Sequence, residues 1–235
     1  MRIISLIAIV LALAIQTQGI YFPESTTVRT NIVSNNKIKG KGKVITETRN
    51  LESFEEIHNN GIFNVKIVQC SESKVEIRVH ENIMQYVATE VKDGILSIYF
   101  DYDGTIDASI HDIVVYTHNC KVINNITIGK ISCDKLTSAS MKVINEGIGK
   151  VDLDNVTADK IEIINEGIGE LEIKSIEAKK ISVSNEGLGK IRLSGNVDEA
   201  YYSNEGIGRI DAAYLTASKI DASNDGIGNI DATSK

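Results

Sequence analysis

Four acids gather in one short stretch of this 235-residue chain. Asp101, Asp103, Asp107 and Asp112 lie beside Tyr99, Phe100 and Tyr102. Paired carboxylates can act as acid and base in glycoside cleavage. Asp101, Asp103 and Asp107 are therefore candidate glycan contacts, and a carbohydrate-active enzyme is one reading of the chain. The same run, Asp-Tyr-Asp-Gly-Thr, is also a good turn sequence, so a plain loop is the simpler account. A second set of acids is spread evenly: Glu146, Glu166, Glu186, Glu205 and Asp225. Stacked one strand apart, such acids repel by about 0.9 kcal/mol per neighbouring pair in a water-like dielectric. A solvated edge suits them, and at most a loose cation contact. His58, His80, His111 and His118 fall in no metal-binding spacing, and no G-x-S-x-G elbow is present. Nothing implies a catalytic residue, a metal or a cofactor.

The evenly spaced acids belong to a repeat. Asn145-Glu146-Gly147-Ile148-Gly149 returns at Asn165, Gly167 and Gly169, then at Asn185, Gly187 and Gly189. It returns again at Asn204, Gly206 and Gly208, and at Asn224, Gly226 and Gly228. Subtracting the Asn numbers gives steps of 20, 20, 19 and 20. A weaker copy is Asn125-Ile126-Thr127-Ile128-Gly129. Period-2 alternation flanks every copy, as in Ile161-Glu162-Ile163 and Val151-Asp152-Leu153. A unit of about 20 residues holds three short strands and cannot bury its own apolar face, so it must stack on its neighbours. Stacking sets like residues about 4.8 Å apart. Stacked Asn side chains can then bond amide to amide in a ladder. Asn tolerates left-handed backbone and Gly takes positive φ freely, so the motif reads as a corner. With Asn and Gly structural and Glu in solvent, function is sought on the sheet faces and in the N-terminal half.

The fold class expected is all-β: a single-stranded β-helix of ~20-residue coils, right-handed. Residues 121–235 form the regular repeats. Residues 38–120 are less regular, with strands read at 61–68, 74–80, 94–100 and 113–116 and a helical turn or loop within 81–90. These are expected to be wider coils capping the N-terminal end of the same stack. Ala212, Ala222 and Ala232 at inward positions suggest a core that tapers toward the C-terminus. An open solenoid end invites end-to-end or edge self-association.

Composition fits this picture. Hydrophobic residues make up 42% of the chain but aromatics only 5%, with no Trp, which favours thin β layers. The net charge is −7 and no Lys/Arg cluster is present, which argues against nucleic acid as a partner. Residues 1–19 read as a signal peptide: Arg2, an apolar run from Ile3 to Ile15, then polar residues to Gly19. The apolar run is too short to span a bilayer, so no integral span is expected after cleavage. Residues 20–37 are a polar lead-in, and polar composition continues to about residue 50. Cys70, Cys120 and Cys133 allow one bridge or three free thiols.

Several stretches resemble a known family. They are Lys39-Gly40-Lys41-Gly42-Lys43-Val44-Ile45-Thr46-Glu47-Thr48-Arg49, Phe54-Glu55-Glu56-Ile57 with Gly61-Ile62-Phe63-Asn64-Val65, and Glu81-Asn82 ahead of Glu90 to Ile98. Over residues 38–232 the chain is similar to the head GIN domain family of auto-transporter adhesins. The resemblance implies a β-helix with Gly-Ile/Leu-Gly turns behind a signal peptide, in a bacterial protein that is exported or surface-exposed. It implies an adhesin-like, non-enzymatic module at the periplasm, cell surface or outside, with a protein or glycan as its undetermined ligand. It brings no catalytic residues. Auto-transporters carry a C-terminal membrane barrel, and none is readable here, so self-export by that route is not expected.

Overall fold

The computed structural model describes residues 36–234. The signal-peptide reading of residues 1–19 and most of the lead-in lie outside the described residues. Among the described residues no helix is long and apolar enough to cross a membrane. The fold is an all-β solenoid of about six turns.

Five long strands make the regular part: β11 (Lys130–Asn145), β12 (Lys150–Asn165), β13 (Glu170–Asn185), β14 (Lys190–Asn204) and β15 (Arg209–Asn224). A short β16 (Ile230–Ser234) follows. Each pairs with the next in parallel, and like positions face each other: Ile161 with Ile181, Asn165 with Asn185. The sequence read three short strands per coil. The chain instead runs each coil as one strand bent twice. Alternation breaks where two neighbours both turn outward, at Asp154-Asn155 and at Asp159-Lys160. Pairing skips Asp154 and Asp159 at those bends. Two bends and one turn give each coil three sides. Val151, Leu153, Val156, Ile161 and Ile163 point inward and are at most 1% exposed. Each such side chain contributes roughly 1.5–3 kcal/mol by leaving water. The 19-residue step is absorbed at the first bend of β14, where Gly195 at φ 129 meets Ile176 across a register shift.

The N-terminal half differs from the wider coils expected. β3 (Glu56–Asn59) and β4 (Asn64–Gln69) form two sides of the first coil. The chain then leaves the stack through β5 (Lys74–His80), a four-residue helix α1 (Glu81–Met84), β6 (Val87–Lys92), β7 (Ile95–Phe100), β8 (Thr105–Asp107) and β9 (His111–Thr117). It rejoins at β10 (Val122–Asn125), which lies between β3 and β11. β7 lies parallel beneath β3, and β9 beneath β4. Coils 56–69 and 122–145 are therefore neighbours in space with a long excursion between them.

The excursion caps the stack with antiparallel strands: β6 on β7, β5 on β9, and β2 (Val44–Asn50) on β5. The reversal has a local cause. Asp93 at φ 53 and Gly94 at φ 79 make a two-residue hairpin of the type that needs positive φ twice. β2 lies in the stretch read as polar lead-in; its alternation is masked because charges occupy its outer face. β1 (Lys37–Lys39) pairs with β8 in a separate two-stranded ribbon. Beneath the second side of β11 the side chain of Gln69 takes the place of a strand. Its amide accepts from Thr137 N and donates to Thr137 O, both at 2.8 Å.

Of the three alanines read as inward, Ala212 is buried, while Ala222 and Ala232 are exposed at the last coils. Tyr202 fills the inward position between Val183 and Ala222 and is 3% exposed. Its hydroxyl has no hydrogen-bond partner among the described residues, and burial pushes its pKa up to about 12. Tyr202→Phe removes a buried, unpaired polar atom and keeps the ring. Urea unfolding is expected to show stability unchanged or raised by up to about 1 kcal/mol, where Tyr202→Ala loses about 3 or more.

Candidate functional site

The turn edge begins with its asparagines. The amide of Asn125 donates to Asn145 Oδ1 at 3.0 Å, Asn145 to Asn165 at 2.9 Å and Asn165 to Asn185 at 2.8 Å. Asn185 donates to Asn204 and Asn204 to Asn224, both at 2.7 Å. All but Asn224 are fully buried. The series starts earlier than the sequence indicated. Asn59 donates to Asn125 at 3.1 Å, because the turn 60–63 of the first coil sits directly beneath the turn 126–129. The long excursion hid that copy from a search at a fixed period.

The turn glycines are required by close approach. None of them, and none of the asparagines, has positive φ. That corrects the left-handed corner inferred from sequence. A Cβ on Gly167 would stand 1.9 Å from Gly147 O, and one on Gly169 1.8 Å from Gly149 O. Both positions face the coil beneath, so neither can carry a side chain. The residue between them must point the other way.

That residue is aliphatic at every rung: Ile128, Ile148, Ile168, Leu188, Ile207 and Ile227, each between 52% and 73% exposed. The turns bond coil to coil, as in Ile168 N to Gly147 O at 3.1 Å. Six rungs at the strand spacing make a ridge about 24 Å long. The sequence reading set this motif aside as structural. The signal in the sequence is an apolar residue set between two glycines in every copy from Ile148 on, which leaves it nowhere to go but solvent. A shallow groove of about 900 Å³ runs along the ridge.

Charged columns flank the ridge two residues away on either side. The column entering the turn is acidic: Glu146, Glu166, Glu186, Glu205 and Asp225. The column leaving it is Lys130, Lys150, Lys190 and Arg209, with Glu170 among them and the neutral Asn229 at its end. These cations are already shared with acids farther along the sheet. Lys150 reaches Glu172 at 3.0 Å and Glu170 at 3.5 Å, Lys190 reaches Asp211 at 3.1 Å, and Arg209 bonds Asp231. Asp152 sits at the centre, 3.3 Å from both Lys130 and Lys174. Burial would raise its carboxyl, but hydrogen bonds from Lys174 and Lys130 and the charge of Lys150 outweigh this and hold it below the usual aspartate value.

The acids singled out near residue 101 do not converge. Asp101 and Asp103 stand exposed on a loop. Asp107 lies in β8 with Lys37 at 3.0 Å, and Asp112 pairs with Arg78 at 3.0 Å. Among the described residues no three His, Cys, Asp or Glu side chains gather as a metal site. The three cysteines are free thiols. Burial raises the Cys120 thiol and pushes Cys133 up to about 11, so neither is a thiolate at neutral pH.

The sequence pattern of the family described as "Putative auto-transporter adhesin, head GIN domain" matches residues 53–235. The chain belongs to the head GIN domain family. Solved structures share its fold. A "putative adhesin" from Parabacteroides merdae is 18% identical with TM-score 0.73, covering 84% of this chain and 99% of that one. Another "putative adhesin", from Parabacteroides distasonis, is 24% identical with TM-score 0.77, covering 83% and 84%. A "putative lipid binding protein" from Parabacteroides distasonis is 20% identical with TM-score 0.73, covering 85% and 98%. Comparison with curated proteins gives no match.

Two outcomes test this edge of the head GIN domain. Asn165→Ala breaks two ladder bonds, leaving the amide of Asn145 only its 3.5 Å bond to Gly147 O and the oxygen of Asn185 without its donor. Denaturant unfolding should show a loss of about 2–4 kcal/mol. Asp152 titrates lower folded than unfolded, so its contribution is present above the unfolded value and lost as pH falls through the folded one. Asp152→Asn should therefore flatten the decline of thermal stability below about pH 4.

Proposed function

We propose that this chain is an exported, non-enzymatic, adhesin-like module that holds its ligand against the aliphatic ridge. The signal-peptide reading places it beyond the inner membrane, in the periplasm, on the surface or outside. One observation carries the proposal. Six successive turns, with Ile128, Ile148, Ile168, Leu188, Ile207 and Ile227, present an aliphatic residue that is more than half exposed and makes no packing demand. A contiguous apolar column rimmed by charged residues is the pattern that marks an interaction surface. The stacked backbone beneath holds the ridge rigid, so binding orders little that is not already ordered.

The alternative, a carbohydrate-active enzyme working through Asp101, Asp103 and Asp107, has less support. The hydrogen bond and charge of Lys37 hold the Asp107 carboxyl below its usual range, which disfavours it as a proton donor. Asp101 and Asp103 share no cleft with it among the described pockets.

The purified chain and an Ile168→Ser/Leu188→Ser variant should be compared on matrix proteins, a glycan array and phospholipid vesicles. The vesicles answer to the neighbour described as lipid binding. The unchanged chain should bind at least one class, and the variant should lose at least tenfold in affinity, with unchanged circular dichroism. Binding that survives both substitutions would move the contact off the ridge.

A further inference from the structure

The two charged columns make the ridge self-complementary. We infer that the partner of the ridge is a second copy of this chain, docked side by side with the two solenoid axes parallel. This rests on the ridge being the binding surface.

The geometry selects that arrangement. A half-turn about an axis parallel to the solenoid, just outside the ridge, lays ridge on ridge and exchanges left with right. The acidic column of each copy then faces the mainly basic column of the other. A half-turn about an axis across the ridge would set acid against acid and base against base. Such like-charge pairing is costly, so the parallel pair wins. The contact is isologous, with the same patch on both copies, and it closes at two.

Period and size agree. An apolar column repeating at about 4.8 Å is matched at every rung by another β stack. Ridge and flanking columns cover about 24 by 13 Å, a small patch of the size that weak, reversible contacts use. Glu170 interrupts the basic column, but Lys150 and Arg192 already hold it, which mutes its repulsion of the facing acids. The remaining cations are shared within their own chain, so the columns set orientation and encounter rate more than strength.

Sedimentation equilibrium of the full chain should show a monomer–dimer equilibrium. Ile168→Ser/Leu188→Ser should weaken dimerisation at least tenfold. Glu146→Lys/Glu186→Lys and Lys150→Glu/Lys190→Glu should each weaken it alone, and an equimolar mixture of the two should restore it as a heterodimer. Orientation is read with Ile128→Cys on a Cys70→Ser background, treated with a short bis-maleimide. Parallel axes bring the two introduced sulfurs together, so a covalent dimer forms; antiparallel axes hold them a ridge length apart. A chain monomeric up to millimolar concentration overturns the inference. So does a dimer indifferent to the ridge substitutions, or one that never cross-links through position 128. A monomeric chain whose ridge variant still loses a glycan, matrix or vesicle ligand leaves the binding reading standing and removes only the self-contact.

Discussion

Adjacent coils approach at one strand spacing even through their turns, and that single closeness decides the rest of the edge. At the strand spacing the carbonyls of one turn lie where the Cβ atoms of the next would be. From the turn 146–149 onward two positions must then be glycine, as the contacts of Gly167 and Gly169 with the turn beneath show; in the two turns below, Thr127 and Phe63 take one of the two places. The same closeness brings the preceding asparagine within bonding reach of its counterpart. Its amide gains partners that a buried polar group needs, and each bond fixes the height of the next coil. Alternation then leaves the fourth residue of the turn facing water. The asparagine ladder, the paired glycines and the exposed aliphatic ridge are one consequence of stacking, seen from three sides.

That logic explains what could be read in advance. The period, the three-sided coil and the inward apolar columns follow from alternation and spacing, because each coil repeats the environment of the last. Backbone dihedrals are the wrong guide to the turn: its glycines have no positive φ and stand there for lack of a side chain. Had the paired glycines been taken as inward positions, Ile148 and Ile168 would have read as outward ones. The N-terminal half was harder for a different reason. Asn59 and Asn125 are neighbours in the ladder but 66 residues apart in sequence, so no fixed period connects them. Asp93-Gly94 did carry the local signal for reversal, yet only the pairing of β5 with β9 shows that the cap is antiparallel.

The cap answers a requirement of parallel stacking. A stack of parallel coils ends in a row of unpaired backbone groups, which other chains can extend. Here the N-terminal end passes from parallel coils through β7 and β9 to antiparallel strands. The outermost of these, β2, carries Glu47 and Arg49 in contact with each other, and Arg49 donates to the Val87 carbonyl. Charged side chains anchored across an outer strand make further pairing costly. The end of the stack is thereby made unattractive while its long edge is left apolar.

This contrast bears on how an exposed aliphatic ridge is tolerated. Association through unpaired backbone has no natural stop, because each added strand presents a new edge. Association through the ridge consumes the ridge, since a half-turn pairs the two patches and leaves neither exposed. The N–H of each ridge residue from Ile148 to Ile227 bonds the turn beneath, so the ridge offers side chains and no strand edge. An apolar column on such a support can bind without seeding a growing sheet. A loop carrying the same six residues would lose conformational entropy on binding and could also rearrange into a strand. Placing them on a ladder of buried amides gives the protein a contact surface that is apolar, ordered before contact, and limited in what it can join.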